Sequence, residues 1–144
     1  MTTSDGVEAI RSAVQAVNFG DIDGYLRGFD ASCLRWVSAI ERPFTLVEVG
    51  ENLRILACGF DGLRLDEESL FGEGDLVCAR WKLQGTHTGD YLGLPPTGRE
   101  IHMETCEVYR FEAGLVVESW AYGDPGQLFR QISSVVKGDG GARA

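Results

Sequence analysis

The strongest constraint on the fold is a change of hydrophobic period at Leu63. Before it, apolar residues recur every three or four positions, and after it they alternate. Val7, Ile10, Val14 and Val17 make a helical stripe behind a Ser4 cap, ending near Gly20. Asp21 caps a second, short helix in which Ile22, Tyr25, Leu26 and Phe29 share a face. Residues 32–40 are rich in β-formers and stop at Pro43. Thr45 and Glu48 stand at capping-box spacing ahead of a third helix, whose stripe is Leu46, Val49, Leu53, Leu56 and Phe60.

Strands are expected near 63–71, 76–86, 99–111 and 115–122. Gly72-Glu73-Gly74-Asp75, a Pro95-Pro96 loop and Glu112-Ala113-Gly114 separate them. After Asp124-Pro125, the residues Leu128, Phe129, Ile132 and Val136 fit a short C-terminal helix. Helices first and strands afterwards give an α+β domain, with three N-terminal helices on the concave side of a curved, mostly antiparallel sheet. Residues 1–137 fit one domain, and 138–144 read as a flexible tail. A strongly bent sheet leaves a conical cavity suited to a small apolar ligand.

The net charge of −9 argues against nucleic acid, whose phosphates need clustered Lys and Arg. No signal-peptide order and no bilayer-length apolar run is present, so no membrane contact is expected and the cytoplasm is the expected location. Cys33, Cys58, Cys78 and Cys106 are scattered, and His87 and His102 lie outside any ligand cluster. No metal and no cofactor is expected.

Alternation assigns faces. Val77, Ala79, Trp81 and Leu83 point inward, opposite the polar row Arg80, Lys82 and Gln84. Met103, Thr105, Glu107, Tyr109 and Phe111 form the inner set of the next strand, leaving His102 outside. Val116, Glu118, Trp120 and Tyr122 form that of the last, and the same register carries on to Asp124. Glu107, Glu118 and Asp124 are therefore expected to share an interior with Trp81, Tyr109, Trp120 and Tyr122. Desolvation by aromatic rings raises a carboxyl pKa toward the range useful for proton transfer. Structural readings stand beside this: inward carboxylates also serve in ion pairs, Asp124 also fits the N-cap of the last helix, and a bulge reverses faces. His87, at the strand's end, is a further proton-transfer candidate or a loop histidine bonded to backbone. Tyr25 and Trp36 fit the core and can complete a substrate-binding lining with Met103.

Several stretches carry a family resemblance. They are Gly85-Thr86-His87-Thr88-Gly89, Gly93-Leu94-Pro95-Pro96-Thr97-Gly98-Arg99, Tyr109-Arg110-Phe111-Glu112, Val117-Glu118-Ser119-Trp120, Asp124, and Leu128-Phe129-Arg130-Gln131-Ile132. In this order they resemble the SnoaL-like polyketide cyclase family, within the nuclear transport factor 2-like superfamily of cone-shaped α+β folds. The resemblance implies a homodimer without cofactor, and a deep pocket that closes rings in polyketide-like substrates by intramolecular aldol chemistry. It also implies an aspartate acid/base near the end of the last long strand, matched by Asp124, with Glu107 and His87 nearest to other polar pocket positions. The chain departs from the common family text at Ala113, at Ser119 in place of a frequent histidine, and at Pro125.

Three functions follow as expectations: a cyclase for a polyketide-type intermediate, including cycloaddition by shape; an epoxide hydrolase or ether-ring-forming cyclase; and a non-catalytic binding or dimerisation module.

Overall fold

The computed structural model describes residues 1–124 and 126–133, so the expected tail 138–144 lies outside the described residues. Helix α1 (Thr3–Asn18) has its cap two residues before the expected one. Thr2, not Ser4, accepts the Asp5 N–H at 3.1 Å, and the Asp5 carboxylate takes the Thr2 N–H at 2.8 Å. Helix α2 (Ile22–Leu26) is capped by Asp21, which accepts the Gly24 N–H. Strand β1 (Phe29–Val37) and the two-residue β2 (Phe44–Thr45) follow. Thr45 and Glu48 then form the capping box of α3 (Leu46–Gly59). The meander β3 (Phe60–Glu73), β4 (Leu76–His87), β5 (Glu100–Glu112) and β6 (Leu115–Tyr122) leads to α4 (Gln127–Ser133).

The six strands make one sheet in the order β2-β1-β6-β5-β4-β3. Among the described residues, β1 and β6 run parallel and the other neighbouring strands antiparallel. The register slips in β3 against β4, between Asp61 and Arg64 and between Glu67 and Ser69. It slips again in β1 against β6, between Phe29 and Leu34, and in β6 at Val117. Such bulges raise local twist and bend a sheet toward a cone. Helix α1 lies on β3 and β4, while α3 reaches both β1 and β3 and closes the concave side.

Two apolar clusters fill that side. Ile10, Val14 and Val17 of α1 pack against Val77, Ala79, Trp81, Tyr109 and Phe111 in the first. Phe60, Leu83 and Ile101 meet Leu128 and Ile132 of α4 in the second, at the other end of the strands. The β5–β6 turn is a two-residue loop, Ala113-Gly114, with φ of 50° and 83°, the pattern of a type I′ hairpin. No helix among the described residues is long and apolar enough to cross a membrane.

Candidate active site

The inner face is read from the strand ladders, because paired residues on neighbouring strands point the same way. One row crosses four strands: Arg35 of β1, Ser119 of β6, Tyr109 of β5 and Val77 of β4. The next row holds Val37, Ala121, Glu107 and Ala79. A third pairs Thr105 with Trp81. Glu107 thus has an alanine on each side.

Around Glu107 the donors are polar and buried. Tyr109, fully buried, donates its hydroxyl to Glu107 Oε1. Arg35 donates from Nε to Ser119 Oγ at 3.1 Å and from Nη2 to the Tyr25 hydroxyl at 2.6 Å. Its guanidinium carbon also lies 5.7 Å from the centre of the Phe29 ring and 5.9 Å from that of Tyr25. Burial pushes the Tyr109 phenol well above its ordinary pKa, and nearby Glu107 adds to this, so the phenol keeps its proton. Burial likewise raises Tyr25, partly opposed by Arg35. For Arg35, burial works against the charge, but Tyr25 and Glu107 outweigh it and the net shift is upward. The cluster is a fixed cation, two protonated phenols and one partly exposed carboxylate.

Glu118 and Trp120 do not share this interior, which corrects the expected faces. Val117 is an extra residue in β6: Phe111 pairs with Val116, and Arg110 with Glu118. Alternation resumes one residue late, so Ser119 and Ala121 turn inward while Glu118, Trp120 and the half-exposed Tyr122 turn outward. There Glu118 accepts from Trp36 Nε1 at 2.9 Å and from Arg110 at 3.3 Å, so Trp36 is an outer-face residue too. Asp124 is at the surface, and its Oδ1 accepts the Gly126 N–H at 3.0 Å. Its carboxylate pairs with Arg130, which holds its pKa below the usual range. Asp124 thus sits in a turn ahead of α4 and holds an ion pair with it.

His87 is fully buried and far from Glu107. Glu107 pairs with Ala79, and His87 lies eight residues further along β4, about 26 Å at strand rise. His87 Nδ1 accepts the Thr97 N–H at 3.3 Å and lies 3.0 Å from Thr97 Oγ1. Its main chain pairs with Gly98 and Arg99, so the ring ties down both ends of the loop. Gly89 of the same motif lies against the Cys58 carbonyl, where a side chain would collide. The loop text therefore fixes backbone geometry. Met103 is partly buried against the second cluster, while Trp81 and Tyr25 belong to the first.

Alternation reached Glu107, Tyr109 and Trp81 but missed Arg35 and Ser119. Arg35 was hidden because β1 carries an irregular insert, Asp30-Ala31-Ser32, in which the Asp30 carboxylate accepts from Ser32 N–H at 2.9 Å. Reading Cys33, Arg35 and Val37 as one face of a strand would have exposed it. A surface groove of about 790 Å³ opens between the start of α1 and the hairpin turns, lined by Thr2, Thr3, Asp75 and Phe111 among others. Its side chains bring only one carboxylate and no partner base.

A model of the SnoaL-like polyketide cyclase family matches residues 7–132. Aklanonic acid methyl ester cyclase AcmA of Streptomyces galilaeus is 25% identical over 134 residues, covering 90% of this chain and 91% of that protein. Among solved structures, AclR, a candidate hydroxylase from Streptomyces galilaeus, superposes with a TM-score of 0.85 at 22% identity, over 92% of this chain and 83% of its own. IdmH, a candidate polyketide cyclase from Streptomyces antibioticus, gives 0.75 at 22% identity, over 88% of this chain and 96% of its own. With a cone of four helices and six strands among the described residues, and a family match over most of its length, the chain belongs to the SnoaL-like polyketide cyclase family.

Proposed function

We propose that the protein closes a ring in a polyketide-type intermediate by intramolecular carbon–carbon bond formation, with Glu107 as the acid/base and no cofactor. The observation that carries this is the setting of Glu107: an inward carboxylate between two alanines, bonded to the Tyr109 phenol, with Arg35 and Tyr25 alongside. Glu107 removes a proton beside a carbonyl, the chain's other carbonyl is attacked, and the proton returns to the new alkoxide. Trp81, Tyr109, Tyr25 and Phe29 hold the chain folded, which removes entropy from the barrier.

The ether-forming reading needs two inward carboxylates, and Glu118 and Asp124 are both outward and paired with arginines. The binding-module reading needs every carboxylate neutralised, and Glu107 is bonded to a phenol, not a cation. Neither is favoured. The experiment compares turnover of poly-β-carbonyl intermediates by wild type, Glu107→Gln and Asp124→Asn. Glu107→Gln is expected to lose about 10²–10⁴-fold in kcat with its circular dichroism unchanged, and Asp124→Asn to stay near wild type. Equal turnover by wild type and Glu107→Gln would sink the assignment.

A homodimer through the outer face is the second part of the proposal. It is supported by an apolar row across that face from the β3 edge to β1: Phe71, Cys78, Val108, Trp120 and Trp36, paired in turn across five strands. Phe71 is 59% exposed and Trp36 36%, an arrangement that a second copy of the same row would cover.

A further inference from the structure

Arg35 commits two of its five N–H donors inside the protein, to Ser119 and Tyr25. The other three have no acceptor among the described residues, although only 9% of the residue is exposed. The nearby carboxylate, Glu107, takes its hydrogen bond from Tyr109 instead. On the opposite side of Glu107, one inward position along β5, Thr105 faces Trp81 across the β4–β5 ladder. Thr105 Oγ1 and Trp81 Nε1 are both buried and lack a hydrogen-bond partner among the described residues. Native interiors seldom keep such groups unpaired, and these two lie beside one carboxylate, with the uncommitted guanidinium N–H groups of Arg35 on its other side.

Indole and guanidinium groups only donate. A ligand that satisfies both sides must present acceptor oxygens at two points, and the oxygen beside a buried guanidinium gains most if it is negative. We infer that Arg35 on one side and the Trp81–Thr105 pair on the other form a two-point donor site for an oxygen-rich, anionic ligand, holding an acidic C–H over Glu107. The inference rests on the cyclase reading for the role of Glu107. In the step it serves, the C–H bond breaks, its proton goes to the Glu107 carboxylate, and its electron pair moves into the carbonyl to give an enolate oxygen on Arg35. Arg35 is thereby a charge-stabilising group, and Trp81 and Thr105 orient the second oxygen. A hydrocarbon-like chain offers nothing to these donors.

The test is calorimetric binding of two probes to the intact protein, 1-hydroxy-2-naphthoate and naphthalene, alike in ring area and unlike in acceptor oxygens. Arg35→Met is expected to weaken the naphthoate by about 10–100-fold while changing naphthalene by no more than about twofold. Thr105→Val keeps shape and removes one unpaired hydroxyl. It is expected to weaken the naphthoate about tenfold yet to raise the Tm of the free protein, a combination that a purely structural threonine does not produce. If Arg35→Met does not fold, Thr105→Val alone decides. No naphthoate binding by wild type, equal affinity for the two probes, an unchanged Arg35→Met, or a Thr105→Val variant with unchanged naphthoate affinity would each overturn the site. Binding needs no turnover, so intact naphthoate binding alongside a Glu107→Gln variant of full activity would remove the acid/base reading and leave the donor site standing.

Discussion

Glu48, Asp124 and Glu107 are all hydrogen-bonded carboxylates, and their partners set different tasks for them. Arg42 grips Glu48 with two hydrogen bonds, at 2.7 and 3.0 Å, while the Thr45 N–H adds a third. These bonds, the arginine's first, pull the Glu48 carboxyl down to about 2. A group so lowered stabilises the fold fully above its unfolded value near 4.5, and that stability is lost as pH falls through about 2. Carbon-detected titration should therefore find Glu48 ionised down to about pH 2, and the Glu48→Gln variant should lose less stability than wild type across that window. A Glu48 midpoint at the ordinary carboxylate value would refute it. Asp124, paired with Arg130, is held low in the same way and makes a poor base. Glu107 has the Tyr109 phenol as its partner and an alanine on either side, the setting on which the proposed proton chemistry rests.

Among the elements, the β5–β6 hairpin shows most directly how local chemistry sets the register. Ala113 adopts φ of 50°, a left-handed conformation that costs a residue with a Cβ roughly 1–2 kcal/mol and that Asn tolerates well. Ala113→Asn is expected to raise unfolding stability by about 1 kcal/mol in urea melts without touching activity. No gain, or a loss, would mean that the turn is not of this type. The same hairpin explains what could be read in the sequence. β4 and β5 alternate without interruption opposite one another, so Trp81, Glu107 and Tyr109 were visible as inward residues. In β6, Val117 takes up one position unpaired, and everything beyond it reverses, which exchanges Glu118 and Trp120 for Ser119 and Ala121. No periodicity count detects a single inserted residue in an eight-residue strand. The three-residue insert of β1 concealed Arg35 for the same reason, and Asp124 looked like a continuation of β6 because alternation alone does not mark where the strand ends, at Tyr122. Helix positions were legible because the capping box at Thr45 and the apolar stripes of α1 and α3 are local signals, although the α1 cap lies at Thr2 and not at Ser4.

For the whole molecule, the outer face is the open question of surface, and its central residue offers the test. Trp120 lies mid-row between Val108 and Trp36, so a charge there faces any partner copy while leaving the inner row alone. Trp120→Glu is expected to convert a dimer to a monomer in sedimentation velocity, with the fold retained. A wild-type protein that sediments as a monomer at all concentrations, or a variant that remains dimeric, would dismiss that interface. The parallel pairing of β1 with β6 bears on how such a protein comes into being. Arg35 is translated early and Ser119 late, with most of the chain between them. Loop closure over that distance has to be met before the pairing is rewarded, so a nascent chain that has made β4 and β5 still lacks the bond between Arg35 and Ser119. The polar cluster is completed only when synthesis has reached the last strand.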